Sequence, residues 1–113
     1  PMIMDTFGCT PKFLAEQPKA AKALADAYFD SLAMIKAEPQ KSFGIMGADV
    51  KQTAEAFEKS QSYLRWQDRA ANLKFFAGEH AAFSKKAAEI LLEAGIIKSV
   101  PDLGKLADTR FIQ

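Results

Sequence analysis

The chain has 113 residues and a mass of 12.4 kDa, enough for one domain with one modest core. Hydrophobic residues at 49% and charged residues at 26% exclude disorder, collagen-like structure and a disulfide-stapled mini-protein. With 15 basic and 14 acidic side chains, the net charge of +1 supplies no global field to draw in nucleic acid or acidic lipid. A single cysteine, Cys9, forbids an internal disulfide. No apolar run approaches the roughly 18 residues of a membrane span. No basic-then-apolar leader opens the chain, and Pro1 in place of an initiator Met points to a cut or processed terminus.

Met2, Ile3, Met4, Thr6 and Phe7 read as a short strand that stops at Gly8. Nothing later is comparable except Phe111 and Ile112, so this strand has no evident partner for its backbone groups. From Thr10 the signals turn helical. Thr10-Pro11 and Gln17-Pro18 each place proline at a first helical position. The first helix, 11–16, should expose Lys12 and bury Phe13 and Leu14. The second, about 18–37, carries Ala21, Leu24, Tyr28, Leu32 and Ile35 on one face.

Pro39 starts a third helix, with Gly47 expected as its C-cap. After an Asp49-Val50 turn, a helix over 52–60 should turn Ala56 and Phe57 inward. Asp68 N-caps a helix through Ala77 that carries Leu73, Phe75 and Phe76 to the core. A separate long helix over 79–94 aligns Phe83, Ala87, Ile90, Leu91 and Ala94, and Gly95 caps it. Pro101-Asp102 punctuates the tail, and Leu103 to Ala107 adds a last turn or two. The reading is mainly α: six or seven helices with a short N-terminal strand, split into a crossing segment 1–10 and a helical segment 11–113.

The chemistry-bearing residues are sparse. His80 is the only histidine, and no H-E-x-x-H pattern accompanies it. It reads as a surface or boundary residue. Cys9 beside Gly8 sits in an apolar stretch, where a thiol behaves as a small hydrophobe. Gly44-Ile45-Met46-Gly47 has the spacing of a backbone-clamping Gly-x-x-Gly loop, yet its apolar centre suits a helix end better. Tyr63, Arg65, Trp66 and Arg69, followed by Phe75-Phe76, interleave aromatics with arginines as single-strand binders do. The locally balanced charge favours core aromatics with arginines at their rim, and no nucleic-acid partner is expected. Asp26 and Asp30 lie one helical turn apart on a face expected to need only solvent. No enzyme, cofactor, metal site or ligand-binding residue is implied.

The ordered text of the helices is more informative. Pro11-Lys12-Phe13-Leu14-Ala15-Glu16-Gln17-Pro18 leads to Tyr28-Phe29-Asp30-Ser31-Leu32 and Ile35-Lys36-Ala37-Glu38-Pro39. Trp66-Gln67-Asp68, Asn72 and Phe75-Phe76 follow, then Leu92-Glu93-Ala94-Gly95-Ile96-Ile97 and Asp108-Thr109-Arg110-Phe111-Ile112. Over nearly its whole length this resembles the C-terminal part of periplasmic solute-binding proteins of ABC importers, in the nitrate/sulfonate/taurine and thiamine-precursor group. The resemblance implies two α/β lobes that close on a small solute, with Met2 to Cys9 as the last crossing strand and the helices packed on the first lobe. It implies upstream lobes and an ABC permease as partners and a periplasmic address for the parent protein. Gly44, where a helix former is usual, and the few β-branched residues at Phe7-Gly8-Cys9-Thr10 depart from the pattern. The solute-contacting positions lie upstream, so the isolated chain is not expected to bind solute. The alternative is a stand-alone helical homodimer, paired through the N-terminal strand.

Overall fold

The computed structural model describes residues 3–113. Helix starts follow the local chemistry. Helix α1, Pro11–Glu16, is capped by Thr10, whose side chain accepts from the Phe13 N–H at 3.1 Å. Helix α2, Pro18–Ala37, and α3, Pro39–Asp49, both open on proline. Helix α4, Ala54–Gln61, is capped by Thr53, and α5, Arg69–Lys74, by Asp68. Ala21 of α2 is buried, with Tyr28, Leu32 and Ile35 half-buried beside it, while Leu24 stays exposed. In the α3/α4 hairpin, Phe43 is buried and Phe57 half-buried, but Ala56 faces solvent.

The described residues contain no strand, and 3–10 run as irregular chain into α1. The strand expected over Met2–Phe7 therefore has no ladder here, and Met2 lies outside the described residues. The physical reason is the missing partner: unpaired N–H and C=O groups gain nothing from strand geometry in water. Phe7 meets Tyr28 edge-on, at 6.0 Å between ring centres. At the other end Phe111 lies in a turn.

Gly47 does not end α3. It lies buried inside the helix, where an added Cβ would stand 2.9 Å from the Thr53 carbonyl oxygen and 3.0 Å from that of Gln52. Glycine is needed there for close approach of the α3–α4 turn. The left-handed cap falls on Lys51, φ 59°, with Gln52 N–H bonded to Gly47 C=O and Lys51 N–H to Ala48 C=O. The same paired bonds close the C-terminus of the last helix at Gly95, φ 69°, as its position in the sequence suggested.

The break expected between Ala77 and Glu79 is also absent. Helix α5 runs through a π segment, Phe75–Glu79, into α6, His80–Glu93, as one rod. The wider turn is fixed by the His80 N–H, which donates to the Phe75 carbonyl five residues back. Ala88 is buried and His80, Ser84 and Ala87 half-buried, whereas Phe83, Ile90, Leu91 and Ala94 of the expected core stripe are exposed. The tail then passes through a 3-10 turn, Leu103–Lys105, that packs on α6.

Two glycines of one helix should respond oppositely to alanine. Gly47→Ala should cost about 1–3 kcal/mol, because the turn backbone cannot yield cheaply. Gly44→Ala meets nothing within 4 Å and should gain about 0.5–1 kcal/mol of helix propensity. Ser42 is buried with an unpartnered Oγ, so Ser42→Ala should be neutral or stabilising, by up to about 1 kcal/mol. Shifts of the urea midpoint check all three signs.

Candidate functional site

The residues with chemical potential do not gather. His80 stands at the π junction, its ring 5.0 Å from that of Phe76 and 5.8 Å from that of Phe75. Its Nε2 meets Ser84 Oγ at 3.3 Å. Among the described residues no three His, Cys, Asp or Glu side chains converge in a way that could hold a metal ion. Cys9 is exposed rather than lodged among apolar neighbours. Gly44 to Gly47 form part of α3, not a loop. Of the aromatic–arginine stretch, Tyr63 projects into solvent, 88% exposed, and Trp66 Nε1 donates to Gln61 Oε1 at 3.1 Å.

Arg69 is the exception, and its partners leave no mark in the local sequence pattern. Its guanidinium lies 4.3 Å from the ring centre of Phe29 on α2. One terminal nitrogen donates to Asp26 Oδ1 at 2.8 Å, and the other to the carbonyls of Ile112 and Gln113 at 2.9 and 3.1 Å. Asp26 also accepts from Lys22, so it is not the solvent-only carboxylate expected, and Asp30 takes no part. Beside this junction Tyr28 donates its hydroxyl to the Gln67 carbonyl at 3.2 Å. The side chain of Asn72 donates to the carbonyls of Gln67 and Asp68. The Arg69 and Tyr28 bonds join elements about 40 residues apart in sequence, beyond any local pattern. The hydrogen bonds of Lys22 and then Arg69 hold the Asp26 carboxyl below its usual range. With both terminal nitrogens engaged, Arg69 acts as a fastener rather than as an anion site.

What the surface does offer is apolar. An open depression on α3/α4 is lined by Ile45, Met46, Asp49, Val50 and Phe57. Phe83 and Ile90 stand 41% and 55% exposed on α6, and Ile96 follows at 70%. The accessible area is 8924 Å², against about 6,100 Å² for a compact monomer of this mass. The radius of gyration, 16.7 Å, exceeds the roughly 13 Å of a compact chain of this length. No family model, curated protein or solved structure matches the chain.

Arg69→Lys should free the tail, because an ammonium cannot span a carboxylate, an aromatic face and two carbonyls. Exchange at the Ile112 amide, bonded to the Thr109 carbonyl, should accelerate while α2 keeps its protection. The depressed Asp26 pKa sets the pH sign. Its stabilisation is complete above the ordinary carboxylate range and is lost as pH falls below about 4, through the depressed value. Asp26→Asn should therefore reduce the acid sensitivity of tail exchange.

Proposed function

We propose that this chain is the C-terminal structural part of an ABC-importer solute-binding protein for a small solute of the nitrate, sulfonate or taurine type. The observation that carries the reading is the uncovered apolar surface on a helical array with very few buried side chains. A piece that completes a larger body needs such a surface, whereas a free-standing domain of this size hides it. The irregular segment 3–10 supports the same reading, since a crossing strand finds its ladder only in the lobes it joins. The family in this reading rests on the order of the helical text, from Pro11-Lys12-Phe13-Leu14 to Asp108-Thr109-Arg110-Phe111-Ile112.

In this role the chain performs no chemistry. Its helices brace one lobe, its N-terminal segment forms part of the hinge, and solute is held by residues upstream. The parent would be periplasmic and would deliver its solute to an ABC permease. The same uncovered surface favours a second reading, a stand-alone homodimer that buries its apolar faces against its own copy.

The test is to extend the reading frame upstream of Pro1 and titrate the purified product with nitrate, taurine, an alkanesulfonate and a thiamine-precursor pyrimidine. The proposal expects two encoded α/β lobes and saturable one-to-one binding of one of these solutes, with none by residues 1–113 alone. A frame without such lobes contradicts it. Sedimentation of residues 1–113 tests the second reading, which a compact monomer at micromolar concentration would sink.

A further inference from the structure

Helix α6 carries an exposed line of side chains whose charges discriminate among partners. Phe83, Lys86, Ile90 and Glu93 stand three or four positions apart and so run along one side of the helix, with Ala87 and Ala94 beside them. Phe83, Lys86, Ile90, Glu93 and Ala94 are all exposed. Among the described residues neither Lys86 nor Glu93 makes an ion pair within the chain. The spacing is that of a coiled-coil seam in which apolar and charged residues alternate.

The order of the charges decides what fits. An apolar surface laid on this line would bury Lys86 and Glu93 without counter-charges. Lys85 and Lys86 are balanced by Glu89 and Glu93, so the helix offers an anionic lipid surface no net attraction. A second copy running parallel would set Lys86 against the partner's Lys86 and Glu93 against the partner's Glu93. A second copy running antiparallel, with its two-fold axis between Glu89 and Ile90, sets Lys86 opposite the partner's Glu93 and Glu93 opposite the partner's Lys86. In that register the two Ile90 side chains meet at the axis, and Phe83 reaches the exposed Ala94–Ile96 end of the partner's helix. The small side chains of Ala87 and Ala94 let the two helices approach closely. The area is also available: the chain exposes about 2,800 Å² more than a compact monomer of its mass, against roughly 800 Å² per partner in a stable dimer.

We propose that α6 is the face through which two copies of this chain pair, antiparallel across a two-fold axis at Glu89–Ile90. Phe83 and Ile90 are its apolar contacts, and two Lys86–Glu93 pairs fix its register. The inference rests on the homodimer reading, and it moves the contact from the N-terminal segment to this helix. Burial of the aromatic and aliphatic side chains supplies the strength; the exposed ion pairs set orientation and exclude the parallel arrangement.

Sedimentation equilibrium of residues 1–113 gives the dimer dissociation constant, and a Cys9→Ser background carries single-cysteine reporters. Lys86→Glu and Glu93→Lys should each weaken the dimer about tenfold, and the double exchange should return it to within about threefold of the starting value. Under mild oxidation Ile90→Cys should cross-link into a covalent dimer at least about tenfold faster than Lys85→Cys, which lies well round the helix from the seam. A dimer in which the double exchange stays as weak as the single ones, or in which the two cysteines cross-link at equal rates, overturns this face and leaves the homodimer reading standing. A chain that sediments as a monomer at about 100 μM overturns both.

Discussion

The guanidinium of Arg69 is the point on which this arrangement depends. It joins α2 through Phe29 and Asp26, the start of α5 through its own backbone, and the chain's last residues through two carbonyls. Elsewhere the two halves of the molecule share few contacts, with α3 and α4 packing on each other and α5, the π segment and α6 forming a separate rod. A pair as exposed as Arg69 and Asp26 is ordinarily worth only about 0–1 kcal/mol. Its weight here is geometric, since the planar fork fixes three directions at once.

That fastening matters because the interior is so thin. Among the hydrophobic side chains of the described residues only those of Ala21, Phe43 and Ala88 are buried, and two of them are methyl groups. A modest apolar core must offset backbone entropy of about 1–2 kcal/mol per residue, so the outward-facing Phe83, Ile90 and Ile96 represent burial the chain has not yet made. This single shortage links the enlarged surface, the unladdered N-terminal segment and the proposal that further protein completes the fold.

Local chemistry was legible in the sequence; long-range geometry was not. Thr10 and Asp68 cap their helices, and the Pro11, Pro18 and Pro39 starts follow from their residue types, whereas Thr53, expected inside a helix over 52–60, is the cap of α4. Gly95 caps α6 for the same reason. Gly47 misled because close backbone approach and a left-handed cap both call for glycine, and only the three-dimensional turn tells them apart. The apolar stripe Phe83–Ile90 is periodic, but the side of α6 that finds neighbours carries His80, Ser84, Ala87 and Ala88, which only the tertiary arrangement decides. The Arg69 junction spans 43 residues and leaves no periodic trace.

Equilibrium urea unfolding of residues 1–113, followed by Trp66 fluorescence, tests the central claim that the isolated chain lacks a sufficient core. The slope of stability against denaturant reports the surface hidden in the folded state. The account predicts a slope below about 1 kcal/mol per molar urea for the monomer, under the range of small complete domains. A cooperative monomeric transition within that range, with stability of about 5 kcal/mol or more, would contradict it.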